Sequence, residues 1–382
     1  MTHDTDTTGT TGTTTGRSSS SSTTTTTTTT TRTSPARRSR ASFAALALGA
    51  AAALALTGCV AGEDAQGEPA EAAGGDASAS SGEWSTDTLN IDFATYNPLS
   101  LIVKDQGFIE DALGDDVAVT WTQSAGSNKA NELLRAGAVD VGSTAGSAAL
   151  LARSNGSPIH TIDIYSQPEW SALVVPGDSD IADVEDLKGK TIAATKGTDP
   201  YFFLLQALDE AGLSASDVTI ENLQHADGRA ALENGSVDAW SGLDPIMAAS
   251  EAESGTKLLY RNVDFNTYGF LNATESFLTE SPDVAQVVVD SYEKARAWAE
   301  ENPDETATIL SGVAGIDPAV ASTVLDRTHF DVDPVPGAAQ ADVLETVGPI
   351  LVESGDVASQ DAVDDALDTL FDDTFAKDAD AS

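Results

Sequence analysis

From about residue 89 onward, short segments in which apolar and polar positions alternate are separated by segments with a helical period. Alternation with period two, or a short run of apolar and β-branched residues, predicts strands at residues 89–93, 117–121, 159–165, 171–175, 191–194 and 218–223. Apolar positions with a period of 3.6 predict helices at residues 128–136, 201–211, 228–234 and 245–253. Strands and helices that take turns in this way indicate an α/β fold with largely parallel strands.

The last hundred residues have a different pattern. Helical periodicity dominates there, at residues 281–302, 318–326, 337–354 and 361–371. We therefore expect a helical C-terminal part that packs over the sheet. Between Trp84 and Lys377 the chain is long enough for two domains, each with its own core.

One short unit occurs twice in the predicted folded part. Residues 137–143 (GAVDVGS) are echoed by residues 235–241 (GSVDAWS), and each copy follows a predicted helix and precedes another. A helix, Gly-x-Val-Asp, a short buried strand and a serine-bearing loop would therefore occur once in each of two similar halves. The alternative is chance similarity in a chain rich in Ala, Gly and Asp.

The N-terminal part carries the pattern of a lipoprotein signal. Cys59, the single cysteine of the chain, follows Leu56-Thr57-Gly58 and the uncharged run 43–56, with arginines upstream at positions 37, 38 and 40. A basic segment, an apolar run too short to span a bilayer and small residues before a cysteine are typical of signal peptides of lipidated proteins. The alternative, a buried core cysteine, does not require the arginines. The export route, general or twin-arginine, stays open.

This pattern sets the first domain boundaries. Residues 1–58 are predicted to be a disordered n-region followed by the lipoprotein signal peptide, because Thr, Ser and Gly dominate the chain before the arginines. Residues 59–84, rich in Ala, Gly, Ser and acidic residues, are predicted to be a lipidated flexible tether. The body is then expected at the outer face of the cell membrane or in the periplasm, anchored through Cys59.

The exported part is strongly acidic. After Cys59 the chain has 59 Asp and Glu against 14 Lys and Arg, a balance of −45. A field of this sign repels phosphates, which excludes nucleic acid as a partner. An anionic ligand would have to be held by local hydrogen-bond donors.

Four loops combine hydroxyl groups, small residues and the start of a predicted helix, at residues 94–97, 143–147, 196–201 and 240–245. In open parallel sheets, ligands bind beyond the carboxyl ends of the strands, where helix N-termini meet. Each helix N-terminus favours a small anion by about 0.3–1 kcal/mol, so several would have to converge. The same residues are also good helix caps, and Asp244 is either a cap or the partner of a ligand ammonium group.

The residues resemble those of the aliphatic-sulfonate, taurine and nitrate group of ABC-transporter solute-binding proteins. The matching strings, in the same order and spacing, are residues 128–132 (NKANE), 136–142 (AGAVDVG), 186–190 (DLKGK), 196–198 (KGT), 207–213 (ALDEAGL) and 235–240 (GSVDAW), followed by Asp244-Pro245. The resemblance implies a type II periplasmic-binding-protein fold, in which two α/β lobes joined by two crossovers close on a ligand. It places lobe 1 at residues 85–175, lobe 2 at 176–267, and the return to lobe 1 with the C-terminal helices at 268–377. The crossovers are expected near residues 174–176 and 267–269.

The resemblance also implies ligand-binding residues. The positions that match the cleft of this group are Thr95, Tyr96, Asn97, Ser143, Thr144, Gly197, Thr198 and Trp240, with Asp244 as a further candidate. Trp240 either packs on the aliphatic part of a ligand or is an ordinary core tryptophan. Tyr165 and Gln167 are candidates for the rim. The chain has Gly242-Leu243 where the group often has Trp or Tyr before Asp-Pro, so the contribution of the second lobe stays open.

The expected function is non-catalytic capture of a small anion. The resemblance implies an aliphatic sulfonate, delivered to an ABC permease, with taurine or nitrate as alternatives. We expect a monomer that needs no cofactor and no metal. The rival is an enzyme on the same scaffold, similar to the related pyrimidine-synthesis proteins. His225 with Asp227 and Arg229 is the only compact polar group that invites a catalytic role, and no serine or cysteine nucleophile lies near it in sequence. We therefore interpret His225 as a residue at the start of a helix.

Overall fold

The structure, a computed structural model, describes residues 84–382. The predictions for the signal peptide, for acylation of Cys59 and for the tether up to residue 83 concern residues outside this range. The strands of the described part are β1 (Thr88–Phe93), β2 (Ala118–Gln123), β3 (Val141–Ala145), β4 (Ile159–Pro168), β5 (Ser171–Val175), β6 (Thr191–Ala194), β7 (Thr219–Asn222), β8 (Ala239–Leu243), β9 (Lys257–Tyr260), β10 (Gly269–Thr274) and β11 (Thr328–His329).

The helices that connect and cover these strands include every helix predicted above. They are α1 (Pro98–Gln106), α2 (Phe108–Leu113), α3 (Ser127–Arg135), α4 (Gly146–Ser154), α5 (Asp199–Glu210), α6 (His225–Glu233), α7 (Ile246–Ser254), α8 (Glu275–Glu280), α9 (Pro282–Glu301), α10 (Pro303–Ala314), α11 (Pro318–Asp326), α12 (Ala338–Glu353), α13 (Gln360–Leu370) and α14 (Thr374–Lys377). Short 3-10 turns lie at Gly114–Asp116, Val184–Leu187, Ala215–Asp217 and Val263–Phe265.

The strands form two sheets with the same topology. The first has the order β11-β4-β10-β3-β1-β2 and the second β7-β6-β8-β5-β9, so five strands of one correspond to five of the other. In the first sheet, β1 runs parallel to both β2 and β3. In the second sheet, β6 runs parallel to both β7 and β8. The expected α/β fold with two lobes is confirmed.

The prediction of largely parallel strands was only partly right, because both sheets are mixed. β10 runs antiparallel to β3 and β4, and β5 runs antiparallel to β8 and β9. Each of these strands enters its sheet directly after the chain has crossed from the other sheet. It therefore arrives without a crossover helix of its own, and such a helix is what a parallel neighbour needs.

The repeated Gly-x-Val-Asp unit has the same role in both sheets. Gly137 and Gly235 end their helices with φ of 63° and 74°, a conformation that favours glycine. The carboxylate of Asp140 accepts a hydrogen bond from the backbone N–H of Asn90 (2.8 Å), and Asp238 accepts one from Thr191 (2.9 Å). In each half the aspartate joins the loop before the central strand to the start of its neighbouring strand. The duplication in the sequence is therefore structural.

The chain crosses between the sheets twice. It leaves β4 at Pro168 and enters β5 at Ser171, so the first crossing is at Glu169-Trp170. The second crossing lies between β9 and β10, at residues 261–268. The first crossover was predicted too late, because strand 171–175 was placed in lobe 1 although it belongs to the second sheet. A buried apolar strand carries no signal of the sheet to which it belongs.

The C-terminal helices cover both sheets. α9 packs on the first sheet, where Val288 and Tyr292 share a core cluster with Leu89 and Ile91. α12 contacts α4 and α5, and α13 contacts α4, so the pair covers elements that follow strands of different sheets. In the described part, no single helix has both the length and the apolar composition of a membrane span. α10 and α11 have this length and composition only when taken together, as a pair bent by 115°.

Candidate functional site

A narrow cavity lies where the carboxyl ends of the parallel strands of both sheets face each other. Its walls enclose about 180 Å³, including the opening to solvent, and leave no gap wide enough for a water molecule. The walls that the two sheets contribute therefore lie close together. The lining residues are Tyr96, Ser127, Ala145, Trp170, Thr198, Asp199, Pro200 and Leu243.

The starts of three helices contribute to this lining. Ser127 is the first residue of α3, Ala145 immediately precedes α4, and Thr198 immediately precedes α5. The hydroxyl oxygen of Ser127 accepts a hydrogen bond from the N–H of Ala145 (2.9 Å), which holds the two loops of the first sheet together. Thr198 donates its hydroxyl to the carbonyl of Thr195 (2.6 Å) and thereby fixes the loop of the second sheet.

The carboxylate of Asp199 joins the two sheets. It accepts hydrogen bonds from the hydroxyls of Ser147 (2.5 Å) and Thr267 (2.7 Å) at Oδ1. At Oδ2 it accepts the indole N–H of Trp170 (2.7 Å) and the backbone N–H of Thr267 (2.8 Å). Ser147 belongs to α4 of the first half, whereas Trp170 and Thr267 lie in the two crossing segments. Asp199 is therefore the point at which α5, both crossings and α4 meet.

Asp199 is deeply buried, with 1 % of its surface exposed. Burial raises the pKa of its carboxyl group, and the hydrogen bonds from Ser147, Trp170 and Thr267 oppose this shift. The four donors compensate the charge in the absence of a cation. Asp199 is the one carboxylate among the residues that line the cavity, and its oxygens are occupied by protein groups.

Two aromatic residues form the apolar wall. The rings of Tyr96 and Trp170 pack edge to face, with centroids 6.1 Å apart and an interplanar angle of 80°. Tyr96 donates its hydroxyl to the carbonyl of Ser143 (2.8 Å), so its ring cannot rotate freely into the cavity. Burial raises the pKa of Tyr96, which therefore stays protonated.

The structure places several predicted site residues behind the wall of the cavity. Ser143 donates both its N–H and its hydroxyl to Asp92 Oδ1 (2.8 Å each), and Thr144 accepts a hydrogen bond from the amide of Asn272 (2.8 Å). Asn97 is the N-cap of α1 and accepts the N–H of Ser100 (3.3 Å). None of these three side chains lines the cavity. Thr95, which is half-buried, also lies outside the lining.

Trp240 is a core residue in this structure. Its side chain is completely buried among apolar neighbours that include Ala172, Ala193 and Leu232. Gly228 of α6 lies against the indole so closely that a Cβ atom there would be 2.7 Å from Trp240 Nε1. Tyr165, a candidate for the rim, is likewise fully buried. Of the two interpretations of Trp240, this environment is that of the core tryptophan.

Asp244 is occupied by protein groups. Its Oδ1 accepts the backbone N–H of Ala248 (2.9 Å) in the first turn of α7, and its Oδ2 lies 3.3 Å from Nη1 of Arg327. Burial raises the pKa of Asp244 to about 6, and Arg327 opposes this shift. The side chain is thus both a cap and one half of a buried ion pair. It does not line the cavity.

Of the predicted site residues, Tyr96 and Thr198 line the cavity, and Gly197 adjoins it with a φ of 76°. Ser147, Asp199, Pro200 and Leu243 lay in the predicted loops but were not singled out. Ser127 and Trp170 were not predicted, and Thr267 was predicted only as part of a crossover. Their importance depends on which loops meet in space, and nothing in their local sequence carries that information.

Comparisons with known proteins support the same architecture. The family model described as NMT1/THI5 like matches residues 101–306 of this 382-residue chain, which is more than half of it. The chain belongs to the NMT1/THI5-like family.

Two curated relatives of this family member carry the name "Putative aliphatic sulfonates-binding protein". The one from Bacillus subtilis (strain 168) is 32% identical over 239 residues, 62% of this chain and 72% of the relative. The one from Escherichia coli (strain K12) is 27% identical over 256 residues, 66% of this chain and 80% of the relative. The predicted resemblance to the sulfonate-binding group is therefore confirmed.

The fold agrees with a solved structure of the same kind. The alkanesulfonate-binding protein SsuA from Xanthomonas axonopodis pv. citri, bound to MOPS, superposes with a TM-score of 0.66 at 24% identity. The match covers 74% of this chain and 98% of that one. At this identity the likeness establishes the periplasmic-binding-protein fold.

Proposed function

We propose that this protein is the extracytoplasmic solute-binding component of an ABC importer and that it captures a small organic anion, an aliphatic sulfonate. The proposal rests on the cavity between the two sheets, because the starts of α3 and α5 and the loop before α4 all line it. The relatives named as sulfonate-binding proteins support the same ligand class. Capture without chemical change is the expected mode, with delivery to a membrane permease.

The cavity offers hydrogen-bond donors for an oxyanion. The oxygen of Ser127 accepts the N–H of Ala145, and among the described residues its own O–H has no acceptor, so it can donate to a ligand. The N-termini of α3 and α5 add oriented N–H groups, each worth about 0.3–1 kcal/mol toward an anion. Tyr96, Trp170 and Leu243 provide apolar surface for a short alkyl chain. The cavity therefore combines polar and apolar walls, as the two ends of an alkanesulfonate require.

Entry of a ligand requires the cleft to open. We propose that the two lobes, built on the two sheets, move about the crossing segments at residues 169–170 and 261–268, and that Asp199 holds them together when closed. The hydrogen bonds from Ser147, Trp170 and Thr267 support this role, because they join groups on both sides of the cleft. A ligand that binds the closed form better than the open form shifts the population toward closure.

We propose, from the sequence alone, that the body is lipid-anchored through Cys59 and exported as a monomer. The residues before the body would then act as a tether that lets the lobes reach a permease. Replacing Cys59 with serine is expected to release the protein from the membrane fraction into the medium or periplasm. Retention of the Cys59→Ser variant in membranes would contradict the lipid anchor.

Isothermal titration calorimetry tests the ligand class. The purified body, residues 84–382, is titrated with a panel of alkanesulfonates, taurine, nitrate and sulfate. We expect binding in the micromolar range or tighter for at least one sulfonate, which is about −8 kcal/mol or better. No heat with any sulfonate would refute the proposal, and nitrate binding alone would favour the nitrate alternative. Recovery of a chemically altered ligand after incubation would favour the enzyme alternative.

A further inference from the structure

Two buried acceptor atoms without partners face the same glycine between the two halves of the molecule. His225 begins α6 of the second half and is 99 % buried, and Asn128 lies in the first turn of α3. Within residues 84–382, neither His225 Nε2 nor the buried Oδ1 of Asn128 has a hydrogen-bond partner. A Cβ atom on Gly126 would lie 2.9 Å from each of these atoms. Both acceptors therefore lie against Gly126, on the side where any other residue would carry its Cβ atom.

The hydrogen bonds around His225 decide which of its ring nitrogens carries the proton. Thr195 donates its hydroxyl to the carbonyl of Leu223 (2.7 Å), so its oxygen can only accept from the ring. His225 Nδ1, at 3.2 Å from Thr195 Oγ1, is therefore the protonated nitrogen. Burial lowers the pKa of His225 to about 4, so the ring is neutral at pH 7. Nε2 then presents a lone pair toward Gly126.

With the Asn128 amide in this orientation, the two facing atoms are both acceptors and cannot satisfy each other. Buried polar atoms are nearly always paired, and an unpaired one carries a desolvation penalty, so two around one glycine need an explanation. Next to His225 in the chain, Gln224 also has a buried Oε1 without a partner. All of these atoms lack a proton donor, and a bound group with N–H or O–H bonds supplies what they lack.

The same place adjoins the cavity. Ser127, which lines the cavity, stands between Gly126 and Asn128 in the chain. On the opposite side, the Cβ of Asn128 lies 3.8 Å from the Cβ position of Gly197, the residue before the cavity residue Thr198. Gly126 and Asn128 therefore flank a cavity-lining residue, and Asn128 also approaches the loop that carries Thr198.

We propose that Asn128 Oδ1 and His225 Nε2 form a subsite that accepts hydrogen bonds from an ammonium or hydroxyl group of the ligand. This inference rests on the proposed function and narrows it: the ligand is a sulfonate with a donor group on its alkyl chain, not a plain alkanesulfonate. The sulfonate end faces Ser127 and the helix starts, and the donor end faces Gly126. Asp244 does not bind the donor group, because its oxygens already accept hydrogen bonds from Arg327 and Ala248.

Calorimetry with three ligands of equal chain length tests the subsite. Ethanesulfonate has no donor group, isethionate has a hydroxyl and taurine has an ammonium group. We expect the wild-type body to bind taurine or isethionate at least about 10-fold tighter than ethanesulfonate, as one or two buried hydrogen bonds provide. The preferred compound identifies the donor.

Variants of Asn128 sharpen the test without altering the buried ring. Asn128→Ala is expected to reduce the preference to less than about 3-fold while the affinity for ethanesulfonate changes by less than about 2-fold. If the donor is an ammonium, Asn128→Asp is expected to tighten taurine binding and to leave ethanesulfonate no tighter. Asn155→Ala, on the exposed end of α4, serves as the matched control and is expected to change none of the three affinities.

The outcomes separate the two proposals. Equal binding of all three ligands by the wild-type protein, or a preference that survives in Asn128→Ala, overturns the subsite and leaves sulfonate capture standing. Tighter binding of ethanesulfonate than of both other ligands also overturns it. No binding of any sulfonate refutes the proposed function itself, and the subsite with it.

Discussion

Replacing Asp199 tests whether this one carboxylate holds the closed cleft together. Asp199→Ala leaves the indole N–H of Trp170 and the backbone N–H of Thr267 buried without an acceptor. Each orphaned donor costs about 1–3 kcal/mol, so we expect a loss of about 2–6 kcal/mol in the free energy of unfolding. The hydroxyls of Ser147 and Thr267 are buried and lose the same acceptor, which moves the expected loss toward the upper end of this range.

Asp199→Asn is the matched control. Its Oδ1 can accept the two N–H groups, while its amide donates to the hydroxyl oxygens of Ser147 and Thr267, which are able to accept. The strengthening by charge and the acceptor of two hydroxyl hydrogens are lost, while the amide gains bonds to the hydroxyl oxygens and avoids the cost of burying a carboxylate. We therefore expect this variant to lie within about 1 kcal/mol of the wild type.

Urea unfolding followed by tryptophan fluorescence measures both variants, and calorimetry with the preferred sulfonate measures the effect on the cleft. If Asp199 holds the lobes together, Asp199→Ala weakens ligand binding more than Asp199→Asn does, because fewer molecules reach the closed form. Equal stability of Asp199→Ala and Asp199→Asn would refute the reasoning. So would a wild-type affinity in Asp199→Ala.

Three further predictions concern buried groups around the site. Burial raises the pKa of Asp92 from 3.8 to about 6, so the folded state binds the proton of this carboxyl group more tightly than the unfolded state does. Protonated Asp92 therefore stabilises the folded state below about pH 4, and this contribution to stability is lost as the pH rises through 6. Denaturation at pH 4 and pH 7 should show that the stability of the wild type, relative to Asp92→Asn, falls by up to about 3 kcal/mol, and parallel profiles would contradict this. Gly228→Ala places a methyl group 2.7 Å from the indole nitrogen of Trp240 and should lower the stability by about 1–3 kcal/mol in urea unfolding. Gly312→Ala, on the exposed face of α10 with nothing within 4 Å, should instead raise it by up to about 1 kcal/mol, and losses of the same size in both variants would refute the packing argument. Ser143→Ala removes a hydrogen bond to Asp92 and should lower the melting temperature without changing the affinity for ethanesulfonate, whereas weaker binding at an unchanged melting temperature would restore Ser143 to the ligand site.

The sequence predicted the elements well because their signals are local. The strands 89–93 and 117–121 alternate apolar and polar residues, and each has one face toward a core. The Gly-x-Val-Asp repeat was likewise visible, because the same three constraints, a left-handed glycine, a buried valine and an aspartate that binds the neighbouring strand, apply twice. The sheet to which strand 171–175 belongs was not visible, because its apolar pattern fits the interior of either sheet.

The candidate site was only partly predicted. Of the residues predicted in the loops with hydroxyl groups at strand ends, Tyr96 and Thr198 line the cavity. Ser143, Asn97 and Trp240 lie behind it, because the same residue types serve as caps, sheet partners and core. A pattern of Ser, Asn or Trp beside a helix start cannot state which way the side chain turns.

By itself, the sequence determined the α/β class, the two similar halves and the acidic surface, since periodicity, charge and spacing are properties of neighbouring residues. The sulfonate-binding group was identified by resemblance of its motifs. Only the tertiary structure decided which groups meet in the cleft. Asp199 found its donors in Ser147, Trp170 and Thr267, from 29 to 68 residues away. Contacts at such separations depend on how whole lobes pack. The free energy of that packing is spread over many residues, and the local sequence around each residue does not identify its partner.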